Sequence, residues 1–287
     1  MPQITAKTQL VALLGYPLGH TLSPRMHNAA FQELGLDWCY LPLEVRPGRL
    51  EGALKGLVAR RFRGANVTIP HKEKVLEFLD EASPAAQALG AANTILAEGE
   101  HLYGDNTDWI GFLRALDDAG ERHPAGQALV LGAGGAARAV VYALAREGWE
   151  VAVLNRTPER AEALVEALSH SNPEASLRAG PLKRGKLKRE LAASQLLVNA
   201  TPVGMHPHVD ECPVPEDVPI PASVAVFDLV YNPEETELLK RAREAGAKAI
   251  GGLGMLLHQG AEAFRLWTGR EAPLEVMREA LRAGLTP

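Results

Sequence analysis

Two residues in the first half of the chain have the chemistry of a proton-transfer pair. Lys72 closes the stretch Asn66-Val67-Thr68-Ile69-Pro70-His71-Lys72, just past a short apolar run and a proline suited to start a helix. Asp108 closes Gly104-Asp105-Asn106-Thr107-Asp108, where its carboxylate opens a helix. An ammonium held beside a carboxylate can pass a proton to or from a substrate hydroxyl. Taken singly, each residue has a plainer reading, a solvated helix lysine and an N-capping aspartate.

A second constellation handles phosphate. Gly132-Ala133-Gly134-Gly135-Ala136-Ala137 follows the apolar run Ala128 to Leu131 and opens a helix, the order of a dinucleotide fingerprint with alanine at the third small position. The first glycine permits the tight turn and the second lets pyrophosphate reach the backbone. The helix N-terminus supplies N–H donors and a favourable dipole. About 20 residues on, an NAD site carries Asp or Glu for the ribose 2′-hydroxyl. Here Leu154 is followed by Asn155-Arg156-Thr157, with Arg160 one helical turn later. Guanidinium groups suit a 2′-phosphate that a carboxylate would repel, so the residues favour NADP over NAD.

The elements that must position these groups read as α/β. Strand-like runs at Leu10–Leu14, Cys39–Val45, Ala65–Ile69 and Thr94–Ala97 alternate with helical patterns. Ser23 as N-cap, Pro24 at N1 and Gly35 after Leu34 predict a helix over 24–34. Asp108 and Gly120 bracket another over 109–119, a candidate hinge. The order strand 128–131, glycine loop, helix 137–146, Gly148, strand 151–154 is a βαβ unit. Strands at 196–199 and 224–229 extend it as an alternating, parallel sheet.

The 287 residues are 46% hydrophobic and 23% charged, enough for two globular domains with separate cores. A net charge of -5 gives no general attraction to nucleic acid or anionic membrane. Six Lys/Arg between Arg178 and Arg189 lack interleaved aromatics and read as a solvated face. His206, His208, Asp210, Glu211 and Cys212 match no zinc spacing and read as a variable loop, so no metal is expected. Cys39 and Cys212 are too few for a disulfide framework, there is no signal-peptide pattern, and no apolar run reaches about 18 residues. A soluble cytoplasmic protein, monomer or homodimer, is expected.

Taken together, these segments resemble the shikimate dehydrogenase family. The matching pieces are Gly15 to Pro24, Asn66 to Lys72, Gly90 to Thr94, Asp105 to Asp108, Gly132 to Arg138, Asn155 to Thr157, Asn199 to Met205 and Gly251 to Thr268. The resemblance implies an N-terminal α/β substrate domain (1–107 with 253–287), a Rossmann-type NADP-binding domain (108–252), and C-terminal helices returning to the first domain. It implies reversible reduction of 3-dehydroshikimate to shikimate with NADPH, a step toward aromatic amino acids. Lys72 would protonate or electrostatically clamp the developing alkoxide, with Asp108 orienting it. Thr21, Ser23 and Tyr231 would hold the substrate carboxylate, and Thr68, Asn93 and Gln259 its hydroxyls. Gly132, Gly134, Gly135, Ala136, Asn155, Arg156, Thr157 and Arg160 would bind the nucleotide, and the backbone at Gly254 and Met255 would lie by the nicotinamide. Gly251, Gly252 and Gly254 are expected to make a pliable connector for domain closure.

Two other readings share many of these residues. A quinate/shikimate dehydrogenase using NAD has the same fold, but the acid it would carry after Leu154 is absent. A non-catalytic NADP-binding regulator would have no use for Lys72 with Asp108. One departure from the family pattern stands out: Thr21 takes the place of a common serine, keeping the hydroxyl and adding a methyl that crowds the pocket.

Overall fold

The computed structural model describes residues 4–19, 21–123 and 125–285, so His20 of the first motif and the N-terminal Met1 to Gln3 lie outside it. The chain divides into two units, Met1–Gly111 with Leu256–Pro287, and Phe112–Met255. It is an α/β fold. The elements in chain order are β1 (Gln9–Gly15), α1 (Ser23–Glu33), β2 (Trp38–Glu44), α2 (Leu50–Ala59), β3 (Gly64–Val67), a 3-10 segment (Lys74–Phe78), β4 (Glu81–Ala82), α3 (Pro84–Leu89), β5 (Thr94–Glu98), β6 (His101–Asp105) and α4 (Asp108–Ala119). They continue with β7 (Gln127–Leu131), α5 (Gly135–Arg146), β8 (Glu150–Asn155), α6 (Pro158–Ser171), β9 (Leu177–Pro181), α7 (Arg184–Ala193), β10 (Leu196–Asn199), β11 (Ala225–Asp228), α8 (Glu237–Glu244), β12 (Ala249–Gly251), α9 (Leu253–Thr268) and α10 (Leu274–Gly284). The chain leaves the first unit within α4 and returns to it within α9.

The first unit holds a six-stranded mixed sheet in the order β2-β1-β3-β5-β6-β4, with β5 antiparallel to both β3 and β6. β1 reads Gln-Leu-Val-Ala-Leu-Leu-Gly and is buried along most of its length, as a strand covered on both faces requires. Its core includes Leu14, Leu54, Val67, Val75 and Ile95. α1 packs Met26 and Phe31 inward, each burial worth roughly 1.5–3 kcal/mol. α9 is fastened to this unit by Trp267, whose Nε1 donates to Ile95 O at 2.9 Å. Gly64 must be glycine for that contact, since a Cβ there would sit 2.1 Å from Ile95 O and 2.5 Å from the Trp267 nitrogen.

The second unit is a parallel six-stranded sheet in the order β12-β11-β10-β7-β8-β9, the doubly wound arrangement of a Rossmann-type fold. Leu129, Leu131, Leu154, Leu197 and Val226 fill its centre. The basic stretch folds as β9 and α7, where Leu187 and Leu191 are buried while Lys183, Arg184, Lys188 and Arg189 are exposed.

Three local expectations are corrected. Ser23 is the first residue of α1, the N-cap is Leu22, and no side chain caps the helix. Pro70 does not start a helix. It lies in a turn closed by His71 N to Thr68 O at 2.9 Å, and the 3-10 segment begins only at Lys74. The glycines near position 252 do not form a separate turn between elements. Gly251 ends β12, and Gly254 lies in α9 with its Cβ position 3.3 Å from Ala115 Cβ. A Cβ on Gly252 would fall 2.3 Å from Leu229 O. Gly252 above all is there for close packing.

Candidate active site

The turn that carries Lys72 is fixed by backbone bonds on every side. Thr68 N donates to Leu14 O at 2.9 Å, Tyr16 N to Ile69 O at 2.9 Å, and Ala92 N to Lys72 O at 2.8 Å. His71 is buried, and its Nε2 lies 2.6 Å from Val45 O, which makes that nitrogen the donor. Gly15 allows β1 to end against this turn, because a Cβ there would meet Thr68 Cγ2 at 2.3 Å. From this anchored backbone Lys72 Nζ donates to Asp108 Oδ2 at 2.6 Å, with the two side chains 15% and 6% exposed. So little exposure leaves the attraction weakly screened.

Asp108 is itself held from two directions. Its backbone N–H donates to Asn106 Oδ1 at 3.0 Å, so the side chain serving the first amide of α4 is Asn106, two residues upstream. Its Oδ1 accepts from Asn93 Nδ2 at 2.9 Å. Asn93 is 2% exposed, accepts from Thr107 N at 2.7 Å, and faces Gln259 Oε1 at 3.3 Å. Behind it Asn66 Nδ2 donates to Asn93 O at 3.1 Å and to Thr94 Oγ1 at 3.1 Å, and Tyr40 Oη donates to Asn66 Oδ1 at 2.8 Å. Lys72, Asp108, Asn93 and Gln259 therefore form one hydrogen-bonded cluster. Asn66, Asn106 and Thr107 complete it. They belong to the segments singled out in the sequence, and only the Asx spacing of Asn106 before Asp108 signalled a role.

The other polar candidates stand more freely. Thr21 Oγ1 is 3.4 Å from both Ser23 Oγ and Ser23 N, long enough to leave the hydroxyl available. Both flank the first turn of α1, which contains no acidic residue. Thr68 is half-buried beside Gly15. Tyr231 belongs to the second unit, in the turn after β11. Burial pushes its phenol pKa up, so it remains a neutral O–H donor at physiological pH.

In the second unit the glycine loop has the geometry that a phosphate ligand needs. Gly132 has φ +106°, and a Cβ there would also meet Ala200 O at 2.9 Å. Gly134 is the N-cap of α5, and no heavy atom of the chain lies within 4 Å of where its Cβ would be. That open space is what a pyrophosphate approaching the backbone would use. α5 starts at Gly135, two residues earlier than its sequence pattern indicated, exposing the Gly135 and Ala136 amides at a helix end free of acidic residues in its first turn. Ala137 is fully buried, the small third position that brings helix to sheet. At the end of β8, Asn155 Nδ2 donates to Thr157 O at 2.8 Å, while Arg156 and Arg160 are exposed. No carboxylate stands where an NAD site has one. The residues fit NADP.

A buried lysine–carboxylate pair in one unit and a dinucleotide loop on a Rossmann-type sheet in the other define a nicotinamide-dependent oxidoreductase. Family models agree along the chain. The shikimate dehydrogenase substrate binding domain matches residues 13–95, the shikimate/quinate 5-dehydrogenase model matches 116–208, and the shikimate 5'-dehydrogenase C-terminal domain matches 252–282. The NADP(+) shikimate dehydrogenase of Moorella thermoacetica is 51% identical over 286 residues, covering 99% of this chain and 96% of that protein. A solved shikimate dehydrogenase in complex with NADP+ superposes with a TM-score of 0.92 at 40% identity, covering 99% of this chain and 98% of that one. The Thermus thermophilus enzyme, solved with NADP(H) and shikimate, gives a TM-score of 0.86 at 46% identity, covering 96% and 100%. The chain belongs to the shikimate dehydrogenase family.

Proposed function

We infer that the chain catalyses the reversible, NADPH-dependent reduction of 3-dehydroshikimate to shikimate. The observation that carries this reading is the Lys72–Asp108 pair at 2.6 Å, with Asn93 and Gln259 in the same cluster. NADPH, when bound through Gly132, Gly134, Gly135, Ala136, Asn155, Arg156, Thr157 and Arg160, with the Gly254 and Met255 backbone by its nicotinamide, supplies the hydride.

Negative charge builds on the ketone oxygen as the carbonyl is reduced, and the Lys72 ammonium stabilises it and gives it a proton. Asp108 keeps Lys72 aimed, because Oδ1 is held by Asn93 and Oδ2 faces the ammonium. In the oxidative direction Lys72 takes the proton back. Thr21, Ser23 and Tyr231 hold the substrate carboxylate, helped by the dipole at the start of α1. Thr68, Asn93 and Gln259 bind its hydroxyls. The first unit is the substrate domain and the second the NADP domain.

Localisation rests on less. No helix among the described residues is long and apolar enough to cross a membrane. Cys39 and Cys212 are both free thiols, which fits a reducing cytoplasm.

Steady-state assay of the chain with shikimate and NADP+, alongside quinate and NAD+, tests the reading. Efficient turnover of shikimate with NADP+ supports it. Turnover confined to quinate or NAD+, or none, would overturn it.

A further inference from the structure

The proton-transfer cluster leaves the carboxylate of Asp228 unused, the most deeply buried carboxylate among the described residues. Asp228 ends β11 and is fully buried. Its Oδ1 accepts from Asn199 Nδ2 at 2.9 Å and from Val230 N at 3.0 Å, and its Oδ2 accepts from Thr236 Oγ1 at 2.6 Å. All three partners donate, so the carboxylate needs no proton of its own. Burial raises its pKa, and the three donors oppose that rise. A buried carboxylate with this many dedicated donors is costly to build and serves as a fixed anchor.

What it anchors is the ligand-facing edge of the parallel sheet. Asn199 ends β10, is fully buried and lies directly across from Asp228 in the strand register. Its Oδ1 accepts from Thr201 N at 3.0 Å and Thr201 Oγ1 at 2.6 Å, which shapes the turn that follows. That turn is in contact with the glycine loop, since a Cβ on Gly132 would fall 2.9 Å from Ala200 O and 3.1 Å from Thr201 Cγ2. On its other side Asp228 fixes Val230 N, the residue before Tyr231. Through Thr236 it also fixes the start of α8, where Thr236 Oγ1 accepts from Leu239 N at 3.3 Å.

We propose that Asp228 is a positioning residue that holds two ligand-contacting turns in register, the Ala200–Thr201 turn against the NADP loop and the turn that presents Tyr231 to the substrate. This rests on the reading that Gly132 and its neighbours take NADP and that Tyr231 takes the substrate carboxylate. Both turns follow adjacent parallel strands, at the carboxyl edge where ligands bind in such sheets.

The test uses the full chain. Asp228→Ala should weaken NADPH binding, followed by nucleotide fluorescence titration, and raise KM for shikimate, each roughly 10-fold, with a smaller fall in kcat. Asp228→Asn should recover most of both losses, because its oxygen still accepts from Asn199 and Val230 and its amide can donate to the Thr236 hydroxyl. In a Tyr231→Phe background the effect of Asp228→Ala on the shikimate KM should largely disappear, while its effect on NADPH remains. A folded Asp228→Ala protein with wild-type NADPH affinity and shikimate KM, or equal losses in the alanine and asparagine variants, would overturn the proposal. If Asp228→Ala does not fold, Thr236→Val takes its place. It should raise both constants a fewfold, and unchanged constants would be equally decisive. The NADPH titration needs no shikimate turnover, so a wild-type chain inactive on shikimate would count against the substrate reading alone.

Discussion

Asn93 Nδ2 lies 2.9 Å from Asp108 Oδ1, on the carboxylate edge opposite the one that receives Lys72 at 2.6 Å. The amide therefore fixes the plane of the carboxylate that aims the ammonium. Replacing it with Asn93→Asp sets two carboxylates side by side, and one of them must hold a proton. The folded pKa of the introduced group then exceeds its unfolded value, so its stability contribution is present at low pH and lost as pH rises. Denaturant titrations should show a larger deficit against wild type at pH 8 than at pH 5. A deficit independent of pH would mean that the two side chains are not in contact.

Arg156 and Arg160 are exposed at the end of β8, where an NAD enzyme carries an acid. Arg156→Ala should weaken NADP binding roughly 10- to 100-fold and leave NAD nearly unaffected, the scale of a charge-assisted hydrogen bond. Paired KM measurements with the two cofactors check this. Equal losses would place the arginine on some other part of the nucleotide.

His27 on α1 is fully buried, stacked on Tyr40 at 4.5 Å and near Trp267 at 5.4 Å. Neither ring nitrogen has a hydrogen-bond partner among the described residues. Burial pushes its pKa down from 6.5 to about 3, so between those values the unfolded chain takes up a proton that the folded chain refuses. The contribution is intact above pH 6.5 and is lost as pH falls toward 3, by up to about 1.4 kcal/mol per pH unit. His27→Phe should therefore lose roughly 2 to 3 kcal/mol less than wild type between pH 7 and pH 4.5. Chemical denaturation at the two pH values gives this difference, and parallel losses would rule out His27 as a source of acid lability.

Thr21 has its hydroxyl only loosely engaged by Ser23. Thr21→Ala should raise KM for shikimate by the loss of a hydrogen bond to a charged group, about 1 to 3 kcal/mol and nearer the lower end because Ser23 and Tyr231 remain. Thr21→Ser should be mild. An alanine variant with wild-type KM beside an impaired serine variant would show that the methyl is what the site uses.

The reach of the sequence follows from how local each signal is. Lys72, Asp108 and the Gly132 loop announce themselves through short motifs whose spacing is set by one turn or one helix start. The strands β1, β7, β8 and β10 do so through continuous apolar runs. β4, with two residues, and β9, inside a basic stretch, have no such run and exist because neighbouring strands offer unpaired backbone. Ser23 and Pro70 depart from their sequence signals for a related reason. Their residue types favour helix starts, but the backbone bonds around Leu22 and the Thr68–His71 turn overrode that preference. The close approach of Gly252 to Leu229 and of Gly254 to Ala115 cannot be read from a single stretch of chain. The Asp228 hub was hidden likewise, since Asn199 and Asp228 meet only across two strands 29 residues apart.

The central claim is that Lys72 carries the proton. Its side chain is only 15% exposed and its partner 6%, so removing the ammonium strands a buried carboxylate and will cost stability. The comparison must therefore be made on folded protein, with Lys72→Met keeping the aliphatic stem and circular dichroism establishing the fold. Steady-state oxidation of shikimate with NADP+ is the deciding measurement. A fall in kcat of roughly 10²- to 10⁴-fold, with a much smaller change in KM, is the predicted result. A folded Lys72→Met protein whose kcat stays within about threefold of wild type would contradict the account.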